Sequence, residues 1–341
     1  MLLITADVSF HEAVTTHHSL QVMESKYDMK YVSVLLTMMF MMIPAAEAKE
    51  NPVEVGSVQW GRNFQEALEK SAQTGRPVLM LFQEVPGCIG CQDFGKTVLT
   101  SPLLVEAIED EFLPVLVYNN RGGEDRKLLD RYNEPAWNYQ VVRFLNANGD
   151  DIIPRKDRVW SVGGIASRMI EALRTANRPV PKYLETVAIE NDPQNHAVGA
   201  FAQHCFWSGE ANIGKVDGVI STEAGWFDNR EVTRVVYNKK RLSLQSLATQ
   251  ARSTNSALCV YAPGSETSDL TGFSSGQLDK SYRKAKASDQ KKQISRWRGA
   301  ERIPGLTEMQ KTKINAFITV SRAEALSWLS PRQRRALAEG R

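Results

Sequence analysis

Cysteine is scarce in this 341-residue chain: Cys88, Cys91, Cys205 and Cys259 are the whole supply. Four thiols in so long a chain exclude a disulfide-stapled scaffold and leave each sulfur to be judged by its surroundings. Histidine is nearly as rare, at five residues, and none falls at a metal-ligand spacing, so no metal is assigned. No apolar run reaches the ~20 residues that cross a bilayer. No internal repeat is visible, which argues against a solenoid. What is present, 42% hydrophobic and 24% charged residues, is ordinary globular composition, and the length suits two domains plus extras.

One short apolar run reads as an address. From Met29 the chain runs MKYVSVLLTMMFMMIPAAEAKE, with Lys30 as a positive n-region, residues 31 to 43 as an apolar h-region and Ala46-Glu47-Ala48 as a small-residue cleavage site. The expectation is export to the periplasm or secretion, with the true start at Met29, a cut after Ala48, and residues 1–48 absent from the mature protein. No cysteine follows the run to carry a lipid anchor. Charge is uneven beyond it: residues 280 to 341 hold 16 Lys/Arg against five Asp/Glu, while 49 to 279 are net −5. In an exported protein that basic end reads as solvated helix faces, with no nucleic-acid partner.

Local patterns give an α/β order. Asn63-Phe64-Gln65-Glu66 starts a helix that Gly75 ends. RPVLMLFQE (76 to 84) reads as a buried strand, Ser101-Pro102 opens a helix over 102–111, FLPVLVYNN is a second strand and VVRFL (141 to 145) a third. Residues 161 to 177 follow as a helix. Three prolines mark 178 to 195 as a linker, assigned as 181–195. A second unit, 196–265, contains a helix after Cys205, the segment GVISTEAGW, the strand REVTRVVY, a helix over 243–252 and the strand ALCVY. Residues 266–341 read as a loop and a helical basic tail, with capping boxes at Thr307-x-x-Gln310 and Ser321-x-x-Glu324.

The VPGCIGC turn places Cys88 and Cys91 between a strand and a helix. A C-x-x-C pair in a first helical turn brings both sulfurs to one side, and the unpaired N–H groups and helix dipole favour the first thiolate. A zinc half-site and a structural disulfide are the competing readings. The strand–CxxC–helix context favours a redox-active pair. Over about residues 55 to 177 this layout resembles the thioredoxin family, and VPGCIGC is similar to the cysteine form of a thioredoxin-like group in which the first cysteine position can be selenocysteine. The resemblance implies a thioredoxin-like domain over 49–180. Two departures stand out: Trp-Cys-Gly-Pro-Cys is absent, and Gln140 occupies the place before the third strand where the family carries a cis-proline over its disulfide, with Pro135 nearby.

The second sulfur site is FAQHCFWSGEANIG (201 to 214). A lone cysteine is more often a small core residue than a nucleophile. Here Cys205 stands at a helix start, Phe206 and Trp207 form an apolar wall, and Glu210 and Glu231 supply acids. Over about 198 to 261, FAQHCFWSGEANIGKVDGVISTEAGW with REVTRVVYNKKRLSLQSL resembles the A-type peptide methionine sulfoxide reductases. The resemblance implies Cys205 as nucleophile, Glu231 as catalytic acid, and Phe206, Trp207 and Glu210 as substrate-binding residues. It also shows His204 in place of a glycine and a tyrosine-bearing loop cut to WFDN at 226–229.

Together the resemblances imply an exported thiol-dependent oxidoreductase without a cofactor other than a thiol or dithiol reductant. Cys205 thiolate would attack the sulfur of a methionine sulfoxide-containing substrate, Glu231 would donate a proton, and methionine would leave a sulfenic acid on Cys205. Cys259 and the Cys88/Cys91 pair are the candidate resolving thiols, Cys259 having an apolar strand context that also suits an inert core residue. A membrane-linked or periplasmic thiol donor would supply electrons. The alternative is a thioredoxin-like thiol–disulfide oxidoreductase whose second domain is a non-catalytic recognition unit. A non-enzymatic module binding a thiophilic metal is the third reading.

Overall fold

A computed structural model describes residues 51–135, 140–297 and 299–339. The export segment, its cut after Ala48 and the start at Met29 lie outside the described residues. The first sheet has the order β2 (Leu113–Tyr118), β1 (Val78–Gln83), β3 (Val141–Leu145), with β1 parallel to β2 and antiparallel to β3. Strand β1 is buried along its whole length, and its side chains alternate between two apolar layers. Leu79 and Leu81 join the core beneath helices α2 (Ile89–Thr97), α3 (Pro102–Glu111) and α5 (Val162–Thr175). Val78, Met80 and Phe82 join Phe64 and Leu68 of α1 (Phe64–Thr74) and Leu129 of α4 (Glu124–Arg131) on the other face. A strand covered on both faces explains why RPVLMLFQE reads as an unbroken apolar run.

The segment assigned as a linker is a structural part of this core. Pro181 stands just ahead of α6 (Lys182–Glu190), whose Tyr183, Leu184 and Val187 are buried with the α3 and α5 side chains. Prolines before a helix shape its entry without removing an internal hydrogen bond, so the proline signal marked a helix start rather than a free connection.

The second sheet runs β8 (Ser275–Gln277), β7 (Cys259–Ala262), β4 (His196–Ala202), β6 (Arg230–Asn238), β5 (Val219–Phe227), β9 (Arg283–Lys284). Its centre is antiparallel, and β5 and β6 form a hairpin whose tip, Asp228-Asn229, takes positive φ at both residues. That is the backbone of a tight two-residue hairpin turn, which is what WFDN at 226–229 encodes. Helices α7 (Phe206–Ile213) and α8 (Leu244–Arg252) supply Ile213 and Leu247 to the core beneath it.

The basic C-terminal region is not a solvated tail. Short helix α9 (Lys292–Ser295) leads to α10 (Glu308–Phe317), α11 (Arg322–Ser327) and α12 (Pro331–Glu339), which share a core of Ile294, Ile314, Ala325 and Leu329. The Thr307 capping box forms in full, and Ser321 accepts from the Glu324 amide. This region binds both halves of the chain: Arg332 N–H donates to Glu106 at 2.6 Å, and Lys313 Nζ donates to the Gly214 and Val216 carbonyls at 3.0 and 2.7 Å. The described residues form one contact unit.

Candidate active site

Strand β1 ends at Gln83, and the chain turns through Glu84, a cis Val85–Pro86 peptide and Gly87 into α2. Cys88 is the N-cap of that helix and is exposed, whereas Cys91 is fully buried one turn later. Their Sγ atoms are 3.3 Å apart as free thiols. Burial, reinforced by Cys88, pushes the Cys91 pKa up to about 12. The pair is therefore asymmetric: an accessible sulfur at a helix N-terminus, and a shielded one held as a thiol.

Three residues that local sequence reasoning left aside hold this turn. Gln83 Nε2 donates to the carbonyls of Glu54 (2.7 Å) and Cys91 (3.2 Å). Buried Glu54 accepts from the Gly87 amide at 2.9 Å. Gly95 of α2 lies so close to the 3₁₀ turn Val53–Val55 that a Cβ there would sit 1.9 Å from the Val53 carbonyl oxygen. A glutamine ending an otherwise apolar strand is the one local signal for this network.

Gln140 does lie over the cysteines. Its Nε2 donates to the Gly90 carbonyl at 3.2 Å, and its Oε1 accepts from the Cys91 thiol at 3.8 Å. With Cys88, Gly90, Phe94, Thr97 and the half-exposed Trp160 it lines a cleft of about 350 Å³. Ile89, between the two cysteines' positions, is 78% exposed. Ile89 and Trp160 thus leave apolar surface exposed near the accessible sulfur.

On the second sheet Cys205 is the N-cap of α7 and is partly exposed. It makes no side-chain cap of its own. Instead Glu231, next to the hairpin tip, accepts from the Phe206 amide at 2.8 Å. Register explains the placement: Glu231 pairs with Trp226 across the hairpin, and Trp226 packs edge-on against Phe206 at 5.6 Å between ring centroids, with Trp207 6.1 Å from Phe206. The structure thus gathers Cys205, Phe206, Trp207 and Glu231, and adds Trp226.

Glu210 and Cys259 are placed differently. Glu210 is completely buried, and its oxygens accept from the Lys291 amide (2.8 Å), Lys291 Nζ (3.0 Å) and Thr222 Oγ1 (3.3 Å). A carboxylate so fully engaged supports the fold and has no free oxygen for a substrate, which corrects its assignment as a binding residue. Cys259 is buried on β7 among Ala202, Phe227, Val232 and Tyr261.

Gln290 and Lys292, in the basic end that reads from sequence as solvated helix faces, are fitted around this second site. The Gln290 amide accepts from Ala224 N–H at 3.0 Å and donates to the Ala224 and Ala285 carbonyls, continuing the β9 pairing on β5. Lys292 Nζ lies 4.8 Å from the centre of the Trp207 ring, a cation–π contact. Among the described residues Glu84, Cys88 and Cys91 form one cluster with metal-ligating potential.

Comparison with known proteins bears on the first site. A family model described as thioredoxin-like matches residues 59–147, which form a thioredoxin-like domain and include Cys88, Cys91 and Gln140. The match does not reach Cys205. The chain is similar to the thioredoxin-related protein DsbJ of Chlamydia pneumoniae, at 32% identity over 90 residues, which is 26% of each protein. It thus spans about a quarter of that relative's length. A solved structure titled DsbH oxidoreductase is 20% identical over 38% of this chain and 91% of its own, with a TM-score of 0.30.

Proposed function

We propose that this protein is a thiol–disulfide oxidoreductase that works through Cys88 and Cys91. The observation that carries the reading is the asymmetric pair: an exposed sulfur at a helix N-terminus, 3.3 Å from a fully buried partner thiol. Cys88 thiolate attacks a substrate disulfide, one substrate sulfur leaves as a thiolate, and a mixed disulfide forms. Cys91 then displaces the second substrate sulfur and closes the Cys88–Cys91 disulfide, so the substrate gains the two electrons that the dithiol loses. Gln140 holds the Gly90 carbonyl and the Cys91 thiol during exchange. The thioredoxin-like match over this segment supports the same chemistry. Export to an oxidising compartment makes exported proteins its substrates, with a membrane-linked or periplasmic thiol donor to recharge the dithiol and the second α/β unit as a recognition surface. Insulin reduction by the full chain with a chemical dithiol tests the reading. Turnover that is lost in Cys88→Ser and kept in Cys205→Ser supports it; turnover that persists without Cys88 refutes it.

A second reading, reduction of a sulfoxide at Cys205, rests on the Glu231 carboxylate held at the Phe206 amide beside a partly exposed thiol and the Phe206, Trp207 and Trp226 rings. Incubation with a dabsyl-methionine sulfoxide and a dithiol decides it. Turnover abolished by Cys205→Ser establishes this activity, and no turnover by the wild type removes it.

A further inference from the structure

Disulfide exchange uses two sulfurs, yet the turn from β1 into α2 gathers three ligand atoms. A Glu84 carboxylate oxygen, Cys88 Sγ and Cys91 Sγ all lie within 4.8 Å of one another. By sequence alone the CxxC is only half of a zinc site. The fold supplies the third ligand, because Glu84 follows directly on β1 and the turn through Pro86 and Gly87 carries the chain back past it. Among the described residues no hydrogen bond or ion pair engages the Glu84 carboxylate, so nothing in the fold employs this group. Gln140 Oε1, 3.8 Å from Cys91 Sγ, is a further oxygen close to the cluster.

We propose that the dithiol form of this protein binds one zinc ion through Cys88, Cys91 and Glu84. Two thiolates and a carboxylate more than neutralise a dication, and zinc takes thiolate sulfur and carboxylate oxygen together, so the mixed set suits it. Tetrahedral ligation at a Zn–S length of about 2.3 Å needs the sulfurs about 3.8 Å apart, against 3.3 Å between the free thiols. Cys88 is exposed and can rotate by that amount while Cys91 stays in place. Binding exchanges the two thiol protons for the metal and moves no electrons. The oxidised pair offers no thiolate, so metal and disulfide exclude one another. A zinc-loaded chain is protected from oxidation until the ion leaves.

The inference does not depend on disulfide turnover, and its test reads the metal directly. Full-length protein, reduced and held without oxygen, is titrated with cobalt(II), and the sulfur-to-cobalt charge-transfer absorbance is followed; zinc affinity is then measured by competition with a chromophoric chelator. One equivalent should bind, Cys88→Ser should abolish the band, and Glu84→Gln should weaken zinc by at least about tenfold, the smallest loss typical even of outer-shell partners. Pre-oxidised protein should bind nothing. Absence of the band in reduced wild type overturns the proposal, as does a Glu84→Gln affinity equal to wild type. Circular dichroism of each variant separates ligand loss from misfolding. Failure of insulin reduction with intact cobalt binding would refute the oxidoreductase reading and leave the metal site standing.

Discussion

Cys91 is the thiol whose reactivity the fold restrains most, and the restraint has a size. Burial, with Cys88 beside it, pushes its pKa up to about 12. At about pH 8 such a thiol is ionised in about one molecule in 10⁴, against roughly a quarter for an ordinary cysteine near 8.5. The more basic thiolate is the better nucleophile, and a Brønsted slope of about 0.4–0.5 returns a factor of about 40 across that interval. Cys91 should therefore attack a small electrophile about 60-fold more slowly than an unconstrained thiol. The closure of the structure over a sulfur with no exposed surface adds to that delay. The assay is a brief pulse of iodoacetamide on reduced protein, quenched with excess thiol and mapped by mass spectrometry. Cys88 should carry the label at early times, with Cys91 far behind. The early phase is the informative one, because alkylating Cys88 removes a group that raises the Cys91 value. Comparable initial rates at the two sulfurs, or faster labelling of Cys91, would refute the argument from burial. The same asymmetry requires that Cys91→Ser trap a mixed disulfide on Cys88, and that Cys88→Ser trap none.

Two further outcomes test the surrounding structure. Gly95→Ala places a methyl against the Val53 carbonyl and should cost about 2–3 kcal/mol of stability by overpacking, read from urea denaturation; an unchanged midpoint would show that the Val53–Val55 turn does not dock on α2. Lys313 is buried with its ammonium on the Gly214 and Val216 carbonyls, and burial lowers its pKa from 10.5 to about 8. The unfolded chain thus holds this proton more tightly, and a penalty of about 3 kcal/mol is present in full below the folded value and fades as pH rises toward the unfolded one. Between about pH 7 and about pH 9.5 the wild type should gain about 2 kcal/mol relative to Lys313→Met; parallel pH profiles would show that the lysine is not buried as a cation at neutral pH.

The elements that were legible from sequence are those with a strong local signal. The helix over 102–111 follows from Ser101-Pro102, β1 from its apolar run, and β6 from the β-branched alternation of REVTRVVY, whereas GVISTEAGW carries no strand assignment of its own and becomes β5 by pairing with β6. Strand β4 escaped notice because HAVGAFA is mostly small residues, and its extended form comes from pairing with β6 and β7. Helix α4 carries no sequence signal of its own: EDRKLLDR buries only Asp125 and Leu129, too few to show a period. At the sites, residue types and spacing singled out Cys88, Cys91, Cys205 and Glu231. Glu54 and Lys291 could not be found that way, since each acts on a partner distant in the chain, and Gln83 showed only as a polar residue closing an apolar strand. Lys291 looked like one more solvated lysine because its partner Glu210 lies 81 positions earlier. For the same reason Glu210 looked available to a substrate.

That long-range pair has a consequence for biosynthesis. Glu210 is synthesised well before the lysine that neutralises it, and at about 5–20 residues per second the interval is roughly 4 to 16 s. Throughout it the α7–β5 region holds a carboxylate that cannot be buried without its partner except at a cost of several kcal/mol. The thioredoxin-like segment, with its own cores on both faces of the first sheet, is under no such delay. Cys88 and Cys91 can therefore be housed while Cys205 is still in an unfinished, open setting.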